Sequence, residues 1–572
     1  MYVQINKNTS KSGKTYKSVL LCHKYRENGK IKTRVISSLT HLPENVITAI
    51  KNTLHKPEGQ MVAVNDIVVE KSIDYGFSFV LIALLDRLRI SQVFDTLMLE
   101  QAALVKLMII GKIITRGSKL SIYNWIRRNQ PIAMQLGLDV KTLKLDDLYS
   151  TLSDLSNLQP KIEHKWAIYH KNREEIFLYD ITSTYFEGVQ NELARFGYNR
   201  DGKHGKMQIN IGLVTNKEGF PLKVQVFEGN VNDYKTVAEQ IHSLKQEFGA
   251  NHIIFVGDRG MRIRYNLEQM NQAQREGVDY ITGLTRLEIE QLAHTGIIQL
   301  DLFAKELVEV QDNGLRYILS VNPELEREST AKRGELRNRF EGMLSEIQCA
   351  YKKKQAHFQK NLQKLQDGHK NKKLVTHFTD KQIDKYKFDV TVLMRKYNMT
   401  GFYDITIDKQ KFDVQFNWES YQNTCNMDGK YVIATTVPAN KMNKEEVREQ
   451  YKSLQHVEHA FRDMKTTNLD IRPVFHVNGD TTRGHVLLSM FSYCIIKEIE
   501  TKIFPFLKSF NSINKEQFSF RDIEEELKLI KLNILRLGGE YREIKITELT
   551  TVQEQILKLL DIDEKKLNLK QK

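Results

Sequence analysis

Cysteine is scarce in this chain and badly spaced for cross-linking. The 572 residues include four, Cys22, Cys349, Cys425 and Cys494. They lie far apart with no Cys-x-x-Cys pair, so neither a zinc ribbon nor a disulfide framework is indicated, and a reduced, cytosolic setting is the expectation. Long apolar runs are also missing. The greasiest, 77–85 and 104–114, are too short to span a bilayer. Residues 1–14 lack the apolar core of a signal peptide, and no membrane is expected among the partners. No HExxH motif occurs. His456 and His459 flank Glu458 but point to different helix faces, which disfavours a zinc hydrolase. No convincing internal repeat is found.

What the chain does have is positive charge. Lys and Arg number 85 against 71 acids, a formal +14. A surplus of that sign suits a polyanion, nucleic acid first, although a merely basic soluble protein has the same balance. Hydrophobic residues at 41% and charged residues at 27% are those of an ordinary folded protein. The length is too great for one core and implies three or four domains.

Residues 1 to about 45 read as short strands around basic turns, with a hairpin signal at Asn28-Gly29. Their lysines make either a phosphate-contacting arm or a solvated face. From about 72 to 158 the apolar pattern is helical, with Arg116, Lys119, Arg127 and Arg128 near helix ends and no clean helix-turn-helix signature. At Ile176 the texture turns to strands. IFLYDITSTYFEG is followed by a basic loop, GYNRDGKHGK, a hairpin, a helix over 234–248, the strand HIIFVGDRG, a helix over 263–276 and the strand DYITGL. That order predicts a mixed α/β sheet and matches a ribonuclease-H-like fold.

The rhythm breaks over 286–425. A mixed region runs to about 323, a long charged helix follows over 325–366, and KFDVTVLM, GFYDITID and KFDVQFNW read as β-like. The strand DGKYVIATTV then leads into 443–465, read as one helix. Asn443 is its N-cap, and Glu446 completes a capping box. Val447, Tyr451, Leu454, Phe461 and Met464 form a stripe, and Glu458 falls inside it. A carboxylate there needs a partner, either Arg462 one turn on or a metal ion.

Three carboxylates thus stand on three elements: Asp180 mid-strand, where Asp is a poor β-former; Asp258 at the carboxyl end of a buried strand, where α/β sheets gather ligands; and Glu458. Each alone has a plain reading, as a solvent-face residue, a turn former and an ion-paired Glu. Together they are a set that hard divalent cations favour, and two such ions serve phosphodiester chemistry.

The ordered set resembles the DDE transposases of bacterial insertion sequences, in the branch with a Tyr-x2-Arg-x3-Glu-x6-Lys signature. Tyr451, Glu458 and Lys465 hold the Tyr, Glu and Lys places, while Leu454 stands where the signature has Arg. YDITSTYFEG around Asp180, GDRG around Asp258, and RGH after the Glu add to the likeness, which covers roughly 176–496. It implies a ribonuclease-H-like core interrupted by a mixed α/β insertion, preceded by a small basic β segment and a helical domain. In residues, that is a basic segment 1–60, a helical DNA-binding domain 61–165, core parts 166–285 and 426–505, an insertion 286–425, and a helical C-terminal region 506–572. The implied activity is cut-and-paste transposition. Asp180, Asp258 and Glu458 would act as catalytic ligands for two Mg²⁺ ions, with Mn²⁺ as a substitute. The implied partners are the element's double-stranded ends and target DNA, the implied assembly is a homodimer, and the implied place is the bacterial cytoplasm, on the nucleoid. Tyr451 and Lys465 would contact DNA phosphates, Arg462 is the candidate to replace the missing Arg, and Trp418 is the candidate to stack on a flipped base. A nuclease of the same fold acting in recombination or repair, and an inactive DNA-binding regulator, are the alternatives.

Overall fold

The computed structural model describes residues 1–10, 13–55, 66–170, 176–188, 190–248, 252–259, 276–299, 302–303, 307–368, 374–472, 474–506, 519–537 and 541–567. The chain divides into two units, one of residues 1–84 with 499–572 and one of residues 85–498.

In the first unit, strands β1 (Tyr2–Thr9), β2 (Thr15–Glu27) and β3 (Lys30–Ser38) form an antiparallel sheet. Asn28 and Gly29 take positive φ in the β2–β3 turn, as an Asn-Gly hairpin requires. Val19 and Leu39 bury one face against Ile47 of helix Glu44–His55. A second sheet pairs β4 (Ile67–Asp74) with β15 (Lys531–Leu537), which pairs with β16 (Tyr541–Ile546). The region expected to be helical over 506–572 therefore contains two strands beside its helices. The partner of β15 lies some 460 residues upstream, so no local turn announces the pairing. For the same reason the helical region expected over 61–165 contains a strand, β4.

The second unit is built on an eight-stranded mixed sheet. Its strands are β5 (Ile176–Tyr185), β6 (Gln208–Thr215), β7 (Pro221–Glu228), β8 (Ile253–Gly257), β9 (Val278–Gly283), β10 (Leu307–Asp312), β11 (Leu315–Val321) and β14 (Lys430–Thr435). Their order is β10-β11-β14-β9-β8-β5-β6-β7. β5 and β8 run parallel, as do β8 and β9; every other neighbour pair is antiparallel. Phe177, Tyr179 and Ile181 of β5 enter a core with Val237, Ile241 and Leu244 of helix Asp233–Phe248. Strand alternation sends Asp180 to the opposite face, where helix Leu454–Arg462 packs on β5. The helix expected over 263–276 lies outside the described residues.

The insertion is narrower than the expected 286–425. Helix Arg286–His294, β10 and β11 share a core with β14 and belong to the central sheet. The excursion leaves after Val321 and returns at Lys430, which are register partners. Between them helix Pro323–Gln366, helix Asp380–Lys396, strands β12 (Tyr403–Ile407) and β13 (Phe412–Phe416) and helix Trp418–Cys425 surround their own core. KFDVTVLM, read as β-like, lies in helix Asp380–Lys396. Thr379 and Gln382 cap that helix with a capping box, and Ile383, Val390 and Leu393 fall on one buried face. The cap and the packing outweigh the β preference of its valines.

Candidate active site

The β5–β8 ladder sets Tyr179 opposite Gly257. The next residues along the chain are Asp180, in the middle of β5, and Asp258, just past the end of β8, so the two aspartates lie side by side over the centre of the sheet. Asp180 is half-buried and Asp258 exposed. The Ile181 N–H donates to Asp180 Oδ1 at 2.7 Å. Burial, above all, pushes the Asp180 carboxyl up to about 7. The charges of Asp258 and Glu458 act in the same sense, while the Ile181 hydrogen bond and the Arg200 charge oppose it. The three acids therefore share one electrostatic neighbourhood, as like charges held without enough counter-charge do.

Glu458 does not lie where its sequence stripe put it. The stretch 443–465 is not one helix but helix Lys444–Lys452, helix Leu454–Arg462 and a wider π turn, Asp463–Thr467. The Asn443–Glu446 capping box is formed. The second helix buries Leu454, Val457, Ala460 and Phe461. Glu458 lies just beyond that stripe and is exposed, on the side open to the two aspartates. Leu454, in the place of the signature Arg, is buried among apolar neighbours. Arg462 is exposed, and among the described residues its guanidinium has neither a hydrogen bond nor an ion pair. It does not neutralise Glu458.

Tyr451 reaches the site from the first helix. Its hydroxyl donates to Asp258 Oδ1 at 3.4 Å. Burial first, then the Asp258 charge, pushes the phenol up to about 12. The ring crosses so close to β9 that a Cβ on Gly283 would stand 2.2 Å from its oxygen, and only glycine leaves room there.

Lys465 is elsewhere. A regular helix would return it, seven residues on, to the face of Glu458. The π turn, closed by the Asn468 N–H on the Asp463 carbonyl at 3.2 Å, carries it inward instead. Its ammonium lies 3.0 Å from Asp201 Oδ1, which Arg472 also approaches at 2.7 Å. Desolvation lowers the Lys465 pKa against the pull of Asp201. The sequence reading missed Asp201 and Arg472; the one cue was a lone acid in the basic run GYNRDGKHGK. Trp418 stands on the insertion, 58% exposed, rather than in its core. It packs edge-on against Phe416 at 4.9 Å, and the Arg337 guanidinium lies 5.1 Å from its ring.

The carboxylate set suits a hard divalent cation. Oxygen donors of like charge, one of them protonated more readily than usual, gain when a cation replaces the proton. Among the described residues no helix is long and apolar enough to cross a membrane.

Comparison with known proteins adds four findings. Residues 171–495, more than half of the chain, match the profile of the transposase DDE domain. Residues 3–59 match that of the N-terminal domain of IS1634 family transposases. No curated protein matches the chain. Among solved structures, a piggyBac transposase synaptic complex with hairpin DNA shares 9% identity over 80% of this chain and 70% of its own, at a TM-score of 0.32, too low to inform the site.

Proposed function

The chain belongs to the DDE transposases of insertion sequences, and from that premise we propose that Asp180, Asp258 and Glu458 form the centre that cuts and rejoins its element's DNA. The observation that carries the proposal is the convergence of the three carboxylates: two on adjacent parallel strands, the third on the helix packed over β5, with both partners' charges felt at Asp180. On this reading strands β5 to β9 are a ribonuclease-H-like core, and residues 323–429 are the insertion.

The three acids would hold two Mg²⁺ ions, which activate an attacking oxygen and stabilise the leaving one in phosphodiester exchange. The chain's own groups do the rest. Asp180, anchored by the Ile181 N–H, presents its carboxylate from a rigid strand. Tyr451 orients Asp258 and supplies a hydroxyl at the lip of the site. Arg462, exposed one turn past Glu458, meets the phosphates of the element's end in place of the signature Arg. The exposed Trp418 offers a ring for a base turned out of the duplex. The lysine-rich N-terminal sheet and the helices of 85–165 bind the end through phosphate contacts. The working assembly is a dimer that pairs two ends.

Cleavage of terminal-repeat DNA in Mg²⁺ tests the proposal. Alanine at Asp180, Asp258 or Glu458 abolishes cleavage while end binding survives. Undiminished cleavage in any of the three removes that residue from the site.

A further inference from the structure

The sheet of β1, β2 and β3 has one side packed on a helix. Val19 and Leu21 of β2 and Val3 of β1 meet Ile47 and Ile50 of helix Glu44–His55 there. Lys17, on that side, is ion-paired with Glu44 at 2.7 Å. Strand alternation turns the even-numbered residues of β1 and β2 to the opposite side. On it Tyr2 pairs with Cys22, Gln4 with Leu20, and Asn6 with Ser18. A bulge in β3 brings Val35, Thr33 and Ile31 to the same side, opposite Cys22, Lys24 and Arg26. Side-chain contacts run along this face. Gln4 Nε2 donates to Asn6 Oδ1 at 3.0 Å, Cys22 Sγ donates to Gln4 Oε1 at 3.6 Å, and Lys24 Nζ stands 5.2 Å from the centre of the Tyr2 ring.

Beyond Cys22 the β2–β3 hairpin leaves the helix behind. Every residue from His23 to Ser38 is exposed, and Ile31, Val35 and Ile36 are each at least half exposed. A two-stranded ribbon with neither face packed is marginal by itself, and apolar side chains gathered in the open mark a surface that meets a partner. The charge selects the partner. Residues 23–38 hold five Lys and Arg against one acid, Glu27, which Lys32 takes on the helix side of the ribbon. Among the described residues Lys24 and Arg26 have no carboxylate at ion-pair distance. A second copy of the chain would set like charge against like in a two-fold contact, whereas a nucleic acid complements it. The shape agrees. Two antiparallel strands fit the major groove of B-DNA, about 12 Å wide, while the minor groove, about 6 Å wide, would have to be opened. The residue types agree as well: in the major groove Gln and Asn pair with adenine, Arg and Lys with guanine, and an apolar group meets the thymine methyl. We propose that the open face of this sheet, led by the β2–β3 ribbon, enters the major groove of the element's end and reads its sequence. Lys24, Arg26 and Thr33 meet the base edges, and Gln4 and Asn6 lie further along the same face. Phosphate contacts hold DNA of any sequence; this face supplies the choice. The inference rests on the reading that the chain binds its element's ends.

The test uses the full-length protein and two duplexes of equal length and composition, one carrying the element's end and one scrambled. Anisotropy at fixed salt gives both affinities. Arg26→Ala weakens binding to the end by about tenfold or more and to the scrambled duplex by no more than about threefold, so the preference falls. Lys24→Ala acts in the same direction. Lys32→Ala, on the helix side of the ribbon, lowers both affinities alike. All three side chains are exposed, so the melting temperature stays put. Dimethyl sulfate footprinting reads the groove directly. Guanine N7 atoms of the end, in the major groove, are protected by the wild type and reactive again with Arg26→Ala, while adenine N3 atoms, in the minor groove, stay reactive throughout. Equal losses on both duplexes in the Lys24→Ala, Arg26→Ala double variant reduce the ribbon to a phosphate grip and overturn the inference. So does a change of mass in sedimentation with both affinities intact, which assigns the face to a second copy. The two readings fail separately. A wild-type protein without preference for its element's end refutes end recognition itself; a preference that survives the double variant refutes only the present inference.

Discussion

The 85–498 unit holds two clusters of like charge, built in opposite ways. The acidic one, Asp180 with Asp258 and Glu458, lies over the central strands β5 and β8 with two of its three members exposed. The basic one is sealed. Lys112 and Lys119 are each 4% exposed and His485 7%. Lys119 Nζ lies 2.8 Å from His485 Nδ1, Lys112 donates to the Asp470 carbonyl at 3.2 Å, and the His476 ring sits 4.8 Å from that of His485. Among the described residues neither lysine has a carboxylate at ion-pair distance. Burial pushes Lys119 down to about 7, Lys112 to about 8 and His476 to about 3, and drives His485 well below its ordinary value. The sealed cluster relieves its repulsion by giving up protons. The open cluster can relieve it by taking a cation from solution. Access to water, more than the density of charge, separates a structural knot from a site.

Exchanging the chemistry of the two clusters gives the largest expected effect. Asp180→Asn, Asp258→Asn or Glu458→Gln lowers end cleavage by at least about 10²-fold, whereas Lys119→Met leaves it near wild type. Equal losses on the two sides, in the same cleavage assay, would erase the distinction. A smaller effect follows from crowding the open cluster without touching its charge. Gly283→Ala displaces Tyr451 from Asp258 and slows cleavage by up to about 10²-fold, with DNA affinity unchanged by anisotropy. The sealed cluster announces itself in stability. Lys119 titrates near 7 in the folded chain against 10.5 ordinarily, so between those values unfolding takes up a proton. The melting temperature therefore rises with pH across that window and is insensitive to this group below it; Lys112 acts in the same direction from about 8. Calorimetry of Lys119→Met shows a flatter profile, and an unchanged slope would assign the effect elsewhere. The smallest effect belongs to neither cluster. Trp418→Ala changes stability by no more than about 1 kcal/mol in denaturant titration, because the ring is mostly exposed, yet it impairs processing of the element's end.

Legibility in the sequence followed the range of the forces involved. The strands carrying Asp180 and leading to Asp258 were legible because each has its own local pattern, although their parallel pairing joins residues more than seventy positions apart. The Asn443 cap was readable for the same reason. Lys465 was not. One widened turn, with no proline or glycine to signal it, turned the side chain away from the face of Glu458 and onto Asp201. The outer limit of the insertion was also hidden, since β10 and β11 join the central sheet through β14, more than a hundred residues later. Glu458, read inside an apolar stripe, lies beside it and is exposed.

The register pairing of Val321 with Lys430 has an evolutionary consequence. The insertion leaves and returns on one rung of the ladder and carries its own core. Its host strands close whether the connection is a tight hairpin or a whole folded body, since loop length adds only slowly to the entropy of closure. Such a position works as a cassette port. Lineages can lengthen, trim or replace what is docked there without re-inventing the sheet that carries Asp180 and Asp258.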